Sequence, residues 1–264
     1  EDHGAVQVVQ CTCQLVFVTP VPSRDTIEET YQDEYYDAWK VQDAARRKIW
    51  TRRLQALHQV ARQPGRLLDV GCGEATFLKL AQQAGWQVTG TELSEAAIRQ
   101  APELDLHRGE VWEARLPAET FDVVTSWHVI EHASDPKRMV TELFRVLRPG
   151  GWLVLATPNL HDYVFRLGYF AGRGHWPTLY EDDERELHLF HFSPRTLSAL
   201  MYSVGFTDVQ VGFDLGAAAV SSKRLVNQVA YGWYRLTGLN WGIGLELMAR
   251  KPVETRSLAQ KFSG

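Results

Sequence analysis

Two short stretches hold the residues whose types and spacing suit chemistry. In Asp69-Val70-Gly71-Cys72-Gly73-Glu74-Ala75-Thr76-Phe77 a carboxylate precedes two glycines at the junction of a strand-like and a helix-like run. Glycines there let the backbone approach a ligand closely, and the following helix N-terminus adds N–H donors. A dinucleotide would need a third glycine where Thr76 stands, and Glu74 sets a negative charge where pyrophosphate would sit, so the pattern points to a ligand without phosphates. The second stretch, Trp127-His128-Val129-Ile130-Glu131-His132, contains His-x-x-Glu-His. On a helix that spacing brings two imidazoles to one face for zinc. Here it begins in strand-like sequence and runs into a loop before Pro136, and no third ligand stands out, so no metal ligand is assigned.

The elements that position these stretches alternate. Arg66 to Val70 reads as a strand, followed by the glycine turn and a helix ending at Gly85. Gln87 to Thr91 repeats the plan, with Ser94 as helix cap and Glu95 in the positive first turn. Leu104 to Gly109 holds a third short strand. Phe121 to Ile130 is rich in β-branched and aromatic residues. Pro136 opens a helix whose apolar stripe is Met139, Val140, Leu143, Phe144 and Leu147. Arg148-Pro149-Gly150-Gly151 reads as a turn and Trp152 to Pro158 as the next strand. Later come a helix capped by Ser193 and two strands, Thr207 to Phe213 and Ile243 to Pro252. Strands alternating with helices imply an α/β fold with a mostly parallel sheet covered on both faces.

Composition bounds the rest. The chain has 264 residues, 45% of them apolar, and a net charge of −4, which gives no electrostatic grip on nucleic acid or on an anionic membrane. Arg46, Arg47, Lys48, Arg52 and Arg53 cluster, but Ile49, Trp50, Leu54 and Leu57 interleave at helical spacing, so a solvated helix face is expected. No apolar run approaches the roughly 20 residues of a membrane span, and no signal peptide is read. Cys11, Cys13 and Cys72 are too few for a disulfide framework and fit a reducing, cytoplasmic setting.

With the glycine turn in place, the stretch from Leu67 to Asn159 resembles a class I S-adenosylmethionine-dependent methyltransferase. It is most similar to the small-molecule branch that includes ubiquinone-type O-methyltransferases and tailoring enzymes. The resemblance implies a Rossmann-like, seven-stranded sheet and S-adenosylmethionine as cofactor, with S-adenosylhomocysteine as product. It places Asp69, Gly71, Cys72 and Gly73 at the methionine portion, with Ala75 where a third glycine is frequent. Glu92 falls on the ribose hydroxyls, Leu93 on adenine, Glu110 and Val111 on the adenine edge, and Ser126 and Trp127 against the cofactor at a strand end. His128 would sit near the methyl group, where the family tends to have an acidic or small residue. An imidazole near its ordinary pKa could take a proton from an acceptor there. His191 and His188 are the next catalytic candidates, and Glu131 and His132 are expected to hold their loop through hydrogen bonds.

The resemblance extends to the flanks. Residues 1–60 are expected to form an N-terminal arm of a ribbon remnant and one or two helices, in which Cys13-Gln14-Leu15-Val16 resembles the tail of a zinc ribbon. Two cysteines cannot complete a four-ligand site, so the ribbon is degenerate or the chain truncated, unless a second subunit of a homodimer supplies ligands. Tyr31 to Trp39 match tyrosines that fold over the cofactor in relatives. The methyltransferase domain spans 61–252, with 160–192 as a substrate insertion and 253–264 as a tail. Tyr163, Phe165, Tyr169, Phe170, His175, Trp176 and Tyr180 would make the insertion an acceptor-lining lid or a satellite core. The expected function is methyl transfer to a small-molecule acceptor, on oxygen, with no nucleic-acid partner and no membrane span. A cofactor-binding module without catalysis and a nucleotide-dependent oxidoreductase are the competing readings, the latter opposed by Thr76 and Glu74.

Overall fold

The computed structural model describes residues 2–3, 6–22, 43–179, 187–214, 216 and 221–253; Tyr31 to Trp39, Tyr180 and the acidic run from Glu181 to Glu186 lie outside them. The strands are β1 (Asp2–His3), β2 (Val6–Gln10), β3 (Val16–Thr19), β4 (Arg66–Val70), β5 (Gln87–Glu92), β6 (Asp105–Arg108), β7 (Phe121–Trp127), β8 (Leu147–Pro158), β9 (Phe190–His191), β10 (Thr207–Phe213) and β11 (Gly244–Arg250). The helices are α1 (Asp43–Val60), α2 (Thr76–Gln83), α3 (Glu95–Ile98), α4 (Pro136–Val146), α5 (Tyr163–Arg173), α6 (Pro194–Val204) and α7 (Ser221–Thr237).

Seven strands form the main sheet in the order β10-β11-β8-β7-β4-β5-β6. The pairs from β8 across to β6 are parallel, while β11 runs antiparallel to both β8 and β10. Alternate side chains feed two separate cores, as a pleated strand requires. Leu68, Val124 and Leu155 pack with Met139 and Leu143 of α4 and with Leu197 and Met201 of α6. Leu67, Val123 and Val154 pack on the other face with Leu57 of α1 and with Phe77, Leu78 and Ala81 of α2. Each such leucine, fully buried, contributes on the order of 2 kcal/mol.

Local chemistry explains the helix starts. Asp135 caps α4 by accepting from Arg138 N at 2.9 Å, with Pro136 in the first turn. Ser193 caps α6 in a reciprocal box with Thr196. Ser94 caps α3 by accepting from Ala97 N at 3.3 Å.

Two expectations are corrected. Arg148 to Gly151 is not a separate turn: Leu147 has already left α4 and starts β8, and the strand absorbs the kink as a register shift opposite β7, with Gly150 at φ 79°. Arg47, Lys48 and Arg52 of α1 are solvated, but Arg53 is buried, because it lies on the same stripe as Trp50 and Leu57. The sequence reading also missed α7.

The N-terminal segment is a second small sheet, β1-β2-β3-β9, all antiparallel. Cys11 and Cys13 sit at the β2–β3 turn, where Cys13 N donates to Cys11 Sγ at 3.3 Å. Because β9 belongs to the chain leaving the insertion, this sheet clamps the insertion's exit. Among the described residues, no helix is long and apolar enough to cross a membrane.

Candidate functional site

Strand order reverses at β4, which pairs with β5 on one side and β7 on the other. At such a point the connections leave in opposite directions and open a crevice at the carboxyl ends of the strands. The glycine turn sits there. Gly71 N and Cys72 N both donate to Thr91 O, at 2.8 and 3.0 Å. Gly71 takes φ 71°, and a Cβ on it would come within 2.3 Å of Val129 Cγ2, so both conformation and space require glycine. Ala75, which precedes α2, is also left-handed at φ 59°.

Glu92, at the end of β5, is nearly buried and straps this turn to the next. Its Oε2 accepts from Gly73 N and its Oε1 from Ser94 N, each at 2.9 Å. Asp69 is buried beneath the turn and accepts from Thr125 Oγ1 at 2.6 Å. Burial pushes its pKa up to about 7, against the smaller lowering effects of the Thr125 hydrogen bond and the Arg53 charge. Leu93 is half-buried, and its carbonyl accepts from Arg108 Nε at 3.4 Å. Val111 is buried, while Glu110 accepts from Ser134 Oγ at 3.2 Å.

At the end of β7, Ser126 Oγ and Trp127 Nε1 are buried with no hydrogen-bond partner among the described residues. Orphaned polar atoms cost roughly 1–3 kcal/mol unless a ligand satisfies them. The Trp127 ring lies edge-on to Phe77 at 5.6 Å, and the Arg53 guanidinium covers it at 4.4 Å. A glycine cradle, an acidic strand end and unsatisfied polar atoms beside an aromatic wall fit a ligand with a ribose, an amino-acid portion and an adenine.

His128 follows Trp127 in a left-handed conformation, φ 58°, fixed by its N–H donating to Ala156 O at 2.8 Å. Its Nε2 faces Asp214 Oδ2 at 3.2 Å and its Nδ1 faces Glu131 Oε1 at 3.5 Å. Burial alone would pull its pKa down, but hydrogen bonds to Asp214 and Glu131 push it up to about 9. Burial would raise both carboxylates, yet their hydrogen bonds to His128 bring Asp214 and Glu131 down to about 2, with the Arg53 charge adding to the effect at Asp214. The expectation of a histidine near its ordinary pKa is therefore corrected: His128 is an imidazolium at neutral pH because two buried carboxylates face it.

Asp214 and Arg53 were missed by the sequence reading. Asp214 is fully buried just past β10, accepts from Gly216 N at 2.6 Å, and pairs with Arg53 at 3.4 Å. A signal existed for each: an acidic residue directly after a strand, and an arginine on an apolar helical stripe.

Glu131 and His132 hold the loop as expected. Glu131 O accepts from Leu189 N and Phe190 N, its Oε2 accepts from Thr157 Oγ1 at 2.9 Å, and His132 Nδ1 meets Leu187 O at 2.8 Å. Glu131, His132 and His188 also each bring a ligand-type atom within 4.8 Å of the others, a donor set compatible with a divalent metal. His191, on β9, packs edge-on to His188 at 6.4 Å and pairs in register with Val16.

A family model described as a methyltransferase domain matches residues 42–211. A probable S-adenosylmethionine-dependent methyltransferase of Mycolicibacterium smegmatis is 37% identical over 169 residues, 61% of this chain and 61% of that protein. A ubiquinone biosynthesis O-methyltransferase of Bordetella avium is 34% identical over 112 residues, 39% of this chain and 46% of that protein. The chain thus spans at most 61% of the length of these curated relatives. Among solved structures, a SAM-dependent methyltransferase from Archaeoglobus fulgidus matches 81% of this chain and 99% of its own, with TM-score 0.55 and 19% identity. A possible histamine N-methyltransferase from Thermotoga maritima matches 83% of this chain and 97% of its own, with TM-score 0.58 and 19% identity.

Proposed function

The chain belongs to the methyltransferase domain family, of the S-adenosylmethionine-dependent type, and from that premise we propose that it methylates a hydroxyl oxygen of a small, apolar-bodied acceptor and releases S-adenosylhomocysteine. When bound, the cofactor supplies a methyl group already activated on a sulfonium. The protein's task is then orientation, exclusion of water and handling of one proton. Asp69, Gly71, Cys72 and Gly73 are assigned to the methionine portion, Glu92 to the ribose, and Leu93, Glu110 and Val111 to the adenine. Ser126 and Trp127 line the wall next to the reacting end.

The observation that carries the hydroxyl assignment is His128 held between Asp214 and Glu131. A base with pKa about 9 is matched to a phenol-type hydroxyl, near 10, and poorly matched to an alkyl alcohol. His128 takes the hydroxyl proton and Asp214 steadies the resulting imidazolium. His191, which pairs in β9 with the N-terminal sheet, is the second candidate for contact with the acceptor. One observation favours the competing reading of a cofactor-binding module without catalysis: an imidazolium paired with two carboxylates is also a purely structural device.

Calorimetric titration with S-adenosylhomocysteine tests the cofactor half. Glu92→Ala is expected to weaken binding roughly ten- to a hundredfold, the worth of lost charge-assisted hydrogen bonds. Absence of binding by the folded, unaltered chain would overturn the assignment. Turnover of labelled S-adenosylmethionine with phenolic acceptors tests the rest. The expected rate rises about tenfold per pH unit up to about 9, and His128→Ala removes that rise. Tight S-adenosylhomocysteine binding without turnover on any acceptor would favour the non-catalytic module.

A further inference from the structure

Helices α5 and α7 stand side by side on the strand-end edge that carries the site. Asn159, directly after β8, donates through Nδ2 to Asn240 O at 3.1 Å and Gly242 O at 2.8 Å. Val164 N reaches Trp241 O at 3.4 Å, and the Tyr163 ring meets Trp241 at 5.8 Å. These contacts root the start of α5 in the segment that leaves α7. The start of α7, in turn, follows Asp214, the partner of His128.

Each helix is apolar on the side turned away from the protein. The inner face of α7 is accounted for: Asn227 and Ala230 are buried, and Tyr231 and Tyr234 pack on Phe213 at 5.3 and 5.8 Å. On its opposite face Leu225, Val229 and Leu236 are open to solvent, Leu236 to 86%. Helix α5 has no buried residue at all, and Leu167, Phe170 and the following Trp176 are exposed. Most of the large exposed hydrophobic side chains of the described protein gather on this one pair of helices. Within the insertion, Tyr169 meets Phe165 and His175 ring to ring and Phe170 stacks on Trp176 at 4.7 Å. An apolar patch of this extent is a contact surface rather than ordinary surface.

Charge says what it contacts. Neither helix contains an aspartate or a glutamate, while their sequences hold Lys223 and four arginines, Arg166, Arg173, Arg224 and Arg235. Among the residues of these helices whose side chains are described, Arg166 is half-buried and Arg173 and Arg235 are exposed, a local balance that the net charge of −4 over the whole chain does not reflect. Exposed apolar and aromatic side chains on helices that also expose arginines match the boundary between anionic headgroups and acyl chains. We propose that the outer face of α5 and α7 docks on an anionic lipid bilayer. Resting on the methyl-transfer reading, the same docking would let a membrane-dissolved acceptor reach the strand-end site beside His128.

The test is co-sedimentation of the full chain with phosphatidylcholine vesicles, with and without phosphatidylglycerol. The unaltered protein is expected to partition onto the phosphatidylglycerol vesicles and to be released by salt. The paired substitution Leu167→Glu and Leu236→Glu, both at exposed positions, is expected to weaken partitioning about tenfold or more while S-adenosylhomocysteine affinity stays unchanged. No partitioning by the unaltered chain, or partitioning that the substitutions leave intact, would overturn the proposal. So would a vesicle-free dimer in sedimentation velocity that the same substitutions dissociate, since the face would then be covered by a second copy. Vesicle binding is read without any turnover: a chain that binds lipid but methylates nothing keeps this surface and loses the enzymatic reading, and the reverse result loses only the surface.

Discussion

His128 owes its character to the groups facing it rather than to its place in the His-x-x-Glu-His pattern. Asp214 comes from the end of β10 and Glu131 from the loop after β7, so the two carboxylates approach the ring from opposite nitrogens. Arg53, laid across Trp127, is the cation that shares Asp214. Removing its charge would leave Asp214 with His128 and the Gly216 N–H. An NMR titration of the His128 imidazole is expected to have its midpoint near about 9. Asp214→Asn should bring that midpoint down toward the ordinary histidine value, about 6.5. A midpoint near 6.5 in the unaltered chain would mean that the facing carboxylates do not act on the ring.

The glycine turn works as an element because three strands meet in it. Gly71 and Cys72 donate to β5, Gly73 donates to the carboxylate that ends β5, and the loop leaving β7 presses Val129 against Gly71. Gly71→Ala adds a methyl where Val129 already sits and places it in a left-handed conformation. The combined cost is expected to be about 2–3 kcal/mol, which lowers the melting temperature by several degrees and weakens S-adenosylhomocysteine binding. Adding Val129→Ala should recover the part due to crowding and leave the part due to φ. An unchanged thermal transition in Gly71→Ala would show that the turn is not held as tightly as these contacts imply.

Over the whole molecule, several buried groups pull stability in one direction as pH rises. Asp69 and Glu246 are raised to about 7 by burial, so each favours the folded state less as pH climbs from the usual carboxylate range to about 7. His128 is raised to about 9, so its contribution is complete below about 6.5 and disappears as pH passes about 9. Asp214 and Glu131 are lowered to about 2, and what they add is present above about 4 and is lost as pH falls toward 2. The melting temperature is therefore expected to peak near about pH 4 and to decline from there through pH 9. Thermal denaturation across that range checks it, and a stability that keeps rising to pH 9 would contradict the assignment of these shifts. If Asp69 faces a bound ammonium group, S-adenosylmethionine should flatten the decline near neutral pH, since a cation lowers that carboxyl again.

The strand–turn–helix units were legible in the sequence because local rules govern them. The edges of β4 and β10, the caps Ser94 and Ser193, and the helix start at Pro136 all depend on residues within a few positions of one another. The glycine turn and Glu92 were legible for the same reason, since a strand end and its following turn are contiguous. What only the tertiary structure decided are the encounters between distant segments. Arg53 and Asp214 meet across 161 positions, which makes a supposedly solvated arginine a buried partner. His128 meets Asp214 across 86 positions, which moves its pKa away from the value its residue type suggests. The clamp of β3 on β9 belongs with these, because no local motif announces it. Sequence pattern sets which backbone forms where, through local sterics and burial periodicity. The charge state of a buried side chain is set by which other charges packing brings within a few ångströms, and no local rule contains that information.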